Sequence, residues 1–283
     1  MDKFMIHLRL MTVADLPLGM RLKAQAGWNQ VEADWLRFLD LEPEGAFVAE
    51  LDGSPVGTLV VCIFGPVAWI AMVLVDTAVR RRGLGRALME HALALLDARG
   101  VPTVRLDATP LGQPLYEQLG FVPEYVLTRF EGAAPRVEAT FQKVQPARAT
   151  HLDEILSLDR SVTGTDRSKM LRCLFAEQPD AARVVEHNGA VTGYLMARPG
   201  ARALFVGPCI AQAEAGPLLF ADAWQRYAGQ PIFLDIPNGN TAAFALAQSA
   251  GLTPQRPLTR MVRGVRIEER VADLWASSGP EKG

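Results

Sequence analysis

Two stretches of this chain repeat, and a repeated α/β unit leaves few folds to choose from. AFVAELDGSPVG (46–57) answers to ARVVEHNGAVTG (182–193). Each reads as strand, tight turn, strand, with Asp52-Gly53 and Asn188-Gly189 as the positive-φ pair of a two-residue hairpin. LDATPLGQPLYEQLGFVPEYVLTRFEG (106–132) answers to LDIPNGNTAAFALAQSAGLTPQRPLTRMVRG (234–264). Both run strand, loop, short helix, glycine, then a strand ending in Thr-Arg-apolar. Gly120 stands eight residues before Thr128, and Gly251 eight before Thr259. Anchors that keep both order and spacing point to two copies of one unit, over residues 1–135 and 141–283. The join falls near 133–145, where Gly, Ala and Pro thin out the pattern.

Within copy one the pattern predicts a strand at 5–10, helices at 14–25 and 31–39, hairpin strands at 46–51 and 55–63, and a strand at 67–75. Apolar residues then recur at Leu84, Leu88 and Leu95 and at Ala87, Ala92 and Leu96, the 3.6-residue period of a helix over 84–98 with one buried face. Gly100 caps it, and 101–106 is the next strand. Hairpins followed by β-α-β predict an α+β fold, a mixed α/β sheet with flanking helices, rather than a doubly wound one.

Net charge is −2 with 49 % apolar and 21 % charged residues, so no global charge favours nucleic acid or an anionic membrane. No apolar run approaches the roughly 20 residues of a membrane span. His7 and Arg9 interrupt the apolar start, which excludes a signal-peptide core there. Cys62, Cys173 and Cys209 are far apart and odd in number, which suits thiols in a reducing cytoplasm. His7, His91, His151 and His187 lie at no metal-ligand spacing, so no metal is expected.

Anion binding must then come from one local feature, MVLVDTAVRRRGLGRAL at 72–88. A strand ends at Val75, and Arg80-Arg81-Arg82-Gly83-Leu84-Gly85 leads straight into the helix. The first turn of a helix has amides with no internal partner, and with the macrodipole they form an anion site. Gly83 and Gly85 let a phosphate approach with no Cβ in the way. A nucleotide P-loop would need Gly-Lys-Ser/Thr where Gly85 is followed by Arg86-Ala87, and a dinucleotide fingerprint would need glycine where Leu88 stands. A solvated arginine turn before a helix is the bland alternative.

VLVDTAVRRRGLGRAL resembles the cofactor motif of the GNAT superfamily of acyl-CoA-dependent N-acyltransferases, Q/R-x-x-G-x-G/A, with Arg80, Gly83 and Gly85 at its defined positions. PLYEQLGF (114–121) is similar to the family's LYxxxGF segment, and AGWNQVEADW (26–35) with LDATPLG (106–112) resembles tandem members that carry a divergent second copy. The resemblance implies two tandem GNAT-like domains, the first binding acetyl-CoA. Backbone groups of Val73, Leu74 and Val75 would take the pantetheine arm, and the amides of Arg80, Arg81, Arg82, Gly83, Leu84, Gly85 and Arg86 the pyrophosphate. The strand carrying Val73 would splay from 101–107 and open a slot for the reaction. A neutral amine would attack the thioester directly, a backbone N–H near Leu74 or Val75 would steady the oxyanion, and Tyr116 would protonate the departing thiolate. Read from the residues alone, Tyr116 is equally a core tyrosine on a short helix.

The strand AWIAMVLV carries no carboxylate or histidine. Candidate bases are Glu32, Asp34 and Asp107, of which Asp107 could instead tie down the TPLG loop; a water chain could also remove the proton. Trp28, Asn29 and Trp35 are either an acceptor pocket suited to an amine or ordinary helix packing. In copy two, FVGPCIAQAEAGPLLFADAW (205–224) has neither the arginines nor the glycine pair, Pro208 and Pro217 remove amide donors, and Ala247 stands where copy one has Tyr116. Copy two is expected to bind no cofactor and to wall the acceptor pocket or extend the sheet. Asp159, Arg160, Asp166 and Arg167 either face that cleft or form surface pairs. The function expected is transfer of an acetyl group to a small-molecule amine, with a non-catalytic acyl-CoA sensor as the alternative. The sequence does not fix the oligomeric state; a homodimer is one assembly open to it.

Overall fold

The computed structural model describes residues 5–136, 143–212 and 214–283. Part of the expected join between the copies, residues 137–142, lies outside the described residues.

Copy one runs β1 (Ile6–Leu10), α1 (Leu16–Gln25), α2 (Glu32–Leu41), β2 (Ala46–Leu51), β3 (Ser54–Phe64), β4 (Val67–Val75), α3 (Leu84–Ala98), β5 (Thr103–Ala108), α4 (Gln113–Gln118) and β6 (Val122–Ala133). Copy two repeats the order as β7 (Val144–Pro146), α5 (Leu152–Thr163), α6 (Ser168–Glu177), β8 (Arg183–His187), β9 (Ala190–Arg198), β10 (Leu204–Ala211), α7 (Ala215–Arg226), β11 (Pro231–Pro237), α8 (Thr241–Ser249) and β12 (Thr253–Gly264), and adds β13 (Leu274–Ala276). The hairpin turns take the conformation their residues allow, with Asp52 and Asn188 both at φ +51° beside Gly53 and Gly189. Asn240 caps α8 by accepting from the amide of Ala243 at 3.0 Å.

All the strands belong to one mixed sheet, in the order β1-β2-β3-β4-β5-β12-β6-β11-β10-β9-β8-β7, with β13 beside β10. The order is a palindrome of the two copies about its middle. Each copy lends its last long strand to the other: β12 pairs with β5 of copy one, and β6 with β11 of copy two. The two repeats are therefore consecutive in sequence but interlocked in the sheet.

The exchange is fastened by buried charge. Asp107 on β5 faces Arg260 on β12 in register, with Nε and Nη2 donating to its two carboxylate oxygens at 2.9 and 3.0 Å. Asp235 on β11 and Arg129 on β6 repeat the fork at 2.7 Å for both bonds. These are the LD and Thr-Arg anchors of the sequence repeat, and each aspartate meets the arginine of the other copy.

Three large apolar clusters follow from the layers, beside a small fourth of Ala203, Phe205 and Phe233. One face of the sheet is covered by α1, α2, α5 and α6 together, with Trp35, Phe38, Ile155 and Leu171 in a cluster shared by both copies. On the other face α3 covers copy one through Leu84, Leu88, Met89, Ala92, Leu93 and Leu96, and α4 through Tyr116. There α7 and α8 cover copy two through Leu219, Phe220 and Ala247. Full burial of each such leucine or phenylalanine contributes about 1.5–3 kcal/mol. No described helix is long and apolar enough to cross a membrane.

Candidate active site

The site starts from a break in pairing. β4 runs parallel to β5 only from Val67–Thr103 to Trp69–Arg105; beyond that no ladder joins the two strands. β4 bulges at the same level, because Val60 of β3 pairs with Ala71 while Thr58 pairs with Leu74. Met72 takes φ +51° there, and its carbonyl accepts from the Thr58 hydroxyl at 3.0 Å. A bulge bends the strand and re-aims its backbone groups. The result is a slot whose β4 wall runs along Val73, Leu74 and Val75 with no strand paired to it on the β5 side, an edge able to accept an extended ligand as an added strand. Val73 and Val75 pack towards α3, and Leu74 towards α1 and α2.

The glycine loop continues directly from that edge. Asp76 caps a single 3-10 turn, accepting from the Ala78 amide at 3.1 Å, and Arg21 and Gln25 of α1 hold its carboxylate. Arg80, Arg81 and Arg82 are exposed, with Arg81 at φ +63° and Gly83 at φ +85°. The first bond of α3 runs from the Ala87 amide to the Gly83 carbonyl at 2.9 Å. The amides of Leu84, Gly85 and Arg86 therefore have no partner inside the helix. Gly85 lies where three elements meet, and a Cβ there would stand 3.5 Å from Leu115 and 3.9 Å from Val75. Arg80 folds back to donate to the Val75 carbonyl at 3.2 Å, and Arg86 reaches Gln118 of α4. Edge, anion loop and α4 thus surround one slot.

Tyr116 sits on α4 against Gly112, with its ring edge-on to Phe121 at 6.2 Å between centroids. Burial pushes its phenol up to about 12.

The other expected residues are placed differently. Asp107 is locked to Arg260, with no side-chain exposure. Burial pushes its carboxyl up and Arg260 opposes that, and the two-point fork keeps it an ion pair rather than a free base. Asn29 donates to the Ala203 carbonyl at 2.9 Å and accepts from the amides of Arg202 and Ala203 at 2.9 and 3.1 Å. It clamps the α1–α2 connection of copy one to the β9–β10 connection of copy two. Trp28 is half-buried against the shared cluster, Trp35 is fully buried, and Glu32 is exposed at the start of α2. Asp34 is 1 % exposed and surrounded by Arg37 at 2.9 Å, Lys282 at 2.9 Å and Arg198 at 3.4 Å. Burial alone would raise its carboxyl, but Lys282, Arg198 and Arg37 hold it far below the usual range. The four charged residues of copy two divide: Arg160 and Asp166 form an exposed pair at 3.8 Å, whereas Asp159 and Arg167 are buried partners at 2.6 Å. Among the described residues no group of His, Cys, Asp or Glu could hold a metal ion.

Copy two has filled its own slot. β13 adds to β10 through Cys209–Ala276 and Ile210–Leu274, at the level where β4 offers Val73 and Leu74. Trp275 donates to the Ala211 carbonyl at 3.1 Å and covers the start of α7, so closely that a Cβ on Gly216 would fall 1.9 Å from its ring. The missing arginines announced this loss in the sequence; the chain that takes the space did not stand out there.

Residues 19–121 match the family model described as acetyltransferase (GNAT) family, and residues 155–276 match one described as acetyltransferase (GNAT) domain. The chain is 25 % identical over 228 residues to the uncharacterised N-acetyltransferase YitH of Bacillus subtilis, covering 79 % of each. It is 26 % identical over 259 residues to the holothin acyltransferase of a Pseudoalteromonas species, covering 90 % of this chain and 87 % of that one. Among solved structures, a proposed acetyltransferase from Pyrococcus horikoshii shares the fold at TM-score 0.84 and 23 % identity, over 100 % of this chain and 97 % of that one. A tandem GNAT protein from the clavulanic acid biosynthesis pathway does so at 0.63 and 15 %, over 94 % and 100 %. With a family match in each half and the slot, bulge and glycine loop in the first, the chain belongs to the GNAT superfamily of acyltransferases and carries two GNAT domains in tandem.

Proposed function

We propose that copy one transfers an acetyl group from acetyl-CoA to the primary amine of a small molecule by direct attack, and that copy two is not catalytic. The observation that carries this is the pairing of an open slot in copy one with a filled one in copy two. β13 occupies in copy two the edge that an acyl-CoA arm would occupy in copy one. In copy one, Val73, Leu74 and Val75 would receive the pantetheine, and the loop from Arg80 to Arg86 the pyrophosphate.

The neutral amine nitrogen forms a bond to the thioester carbonyl carbon, and the carbon–sulfur bond then breaks. The sulfur takes the Tyr116 proton, and the proton lost by the amine leaves through water. Direct attack with proton loss to water suits this site, because Asp107 and Asp34 are both bound in ion pairs. Three free cysteines suit a reducing cytoplasm.

Tyr116→Phe is expected to leave acetyl-CoA binding unchanged and to lower kcat by about 100-fold or more, the range of one general acid. Free thiol release from acetyl-CoA, screened across amines, measures it; full activity in the variant would remove Tyr116 from the mechanism. Tight acetyl-CoA binding with no thiol release for any amine would instead establish the non-catalytic sensor.

A further inference from the structure

Past β13 the chain turns under the helices that cover both copies. Residues 277–283, Ser-Ser-Gly-Pro-Glu-Lys-Gly, contain no apolar side chain apart from proline, yet Glu281 is 2 % and Lys282 0 % exposed. They are held by polar contacts. Lys282 donates to Asp34 of α2 at 2.9 Å, and Glu281 accepts from Gln30 at 2.9 Å and from Arg198 of β9. Arg167 reaches Ser278 at 2.9 Å and the Gly283 carbonyl. The Trp69 indole donates to the Pro280 carbonyl at 3.0 Å, and Gly283 lies against the same ring. Trp69 is the last residue of β4 still paired with β5, so this segment abuts the closed end of the slot, on the α1–α2 face.

The fit is imperfect in one respect. Gln30 Oε1 and Arg198 Nη1 are buried with no hydrogen-bond partner, although each residue is more than nine-tenths buried. Both line a void of about 10 Å³ beside Asp34, Arg129 and Glu281. Buried charge contributes little net stability, and an unmet buried donor or acceptor costs about 1–3 kcal/mol. The stretch is docked by polar contacts, with the Lys282 ammonium and the Glu281 carboxylate as its charged anchors, so it presents to the cradle the two charges of a small zwitterion. Without it the cradle would offer a carboxylate, Asp34, still paired with Arg37, beside the Arg198 guanidinium.

We propose that this cradle is the acceptor subsite of copy one, that it takes a molecule carrying a primary amine beside a carboxylate, as in an amino acid or short peptide, and that residues 279–283 are the internal ligand it displaces. The Lys282 ammonium on Asp34 stands where the acceptor's amine would be held, and the Glu281 carboxylate on Arg198 where its acid would be. This rests on copy one being the acyltransferase.

The test uses the full chain and the dipeptide L-glutamyl-L-lysine as probe, with hydrogen exchange followed by mass spectrometry. Millimolar dipeptide is expected to speed exchange of the amides in 277–283 by about tenfold as the segment is driven out. A chain lacking 279–283 is expected to bind the dipeptide about tenfold more tightly than the full chain, since no internal occupant competes. Unchanged exchange, or equal affinity in the two chains, overturns the proposal; should the shortened chain not fold, the exchange result on the full chain decides alone. Acetyl-CoA binding is measured in the same samples. Its loss would count against the acyltransferase reading, whereas intact acetyl-CoA binding with an unresponsive segment would count against this subsite.

Discussion

Gly85→Glu is expected to abolish acetyl-CoA binding while the protein stays folded. Gly85 is in the first turn of α3, where the free amides and the positive helix end converge. A Cβ there finds ordinary contact distances of 3.5 and 3.9 Å, so the fold accommodates a side chain on the partly exposed surface. The ligand would not. A carboxylate in the anion loop repels the pyrophosphate and occupies its place, and two or three lost charge-assisted bonds correspond to about 3 kcal/mol or more, a loss above 100-fold. Calorimetric titration of acetyl-CoA into the variant measures this, with circular dichroism as the check on folding. Gly85→Ala separates bulk from charge and should lose less. Gly83 is a poorer choice, because at φ +85° any side chain strains the backbone as well.

The second large effect lies in the interlock. Arg260→Met is expected to destabilise the protein by about 3–5 kcal/mol, the cost of leaving one member of a buried pair uncompensated. Arg260 answers Asp107 through two bonds and also donates to Tyr125 at 2.7 Å and Glu269 at 3.3 Å. In a chain of this size that loss lowers Tm by on the order of 10 °C. Arg263, three positions along the same strand, pairs with Asp97 at 2.9 and 3.1 Å but on the surface, so Arg263→Met should cost under about 1 kcal/mol. Thermal melts of the two variants side by side make the comparison. Adding Asp107→Leu to Arg260→Met should restore much of the loss, because the stranded carboxylate is then gone.

The contrast between those two arginines also shows what the sequence can carry. The hairpins, α3, β4 and the glycine loop are legible because their signals are local: alternation, a 3.6-residue period, Asp-Gly and Asn-Gly turns, and amides that a helix start must leave free. The repeat exposed LD and Thr-Arg as anchors. That Asp107 finds Arg260 and not Arg129 is a matter of strand order across more than a hundred residues, and alternation within a strand does not encode its neighbour. Asn29 reads in the sequence as an acceptor-pocket residue and Asp34 as a candidate base, because both stand beside tryptophans. Their partners, the loop at 200–203 and Lys282, are distant in the chain and carry no periodic signal. The filled slot of copy two was half legible: its loop had lost arginines and glycines, but the short apolar Leu274-Trp275-Ala276 gave no sign of being a strand. Gly216, which leaves room for the Trp275 ring, is a trace of it upstream.

The most direct measurement is the stoichiometry of acetyl-CoA binding by calorimetric titration of the full chain. One open slot and one slot filled by β13 predict one acetyl-CoA per chain, lost in Gly85→Glu and kept in Tyr116→Phe. Two equivalents per chain, or one equivalent that survives Gly85→Glu, would contradict the placement of the site in copy one.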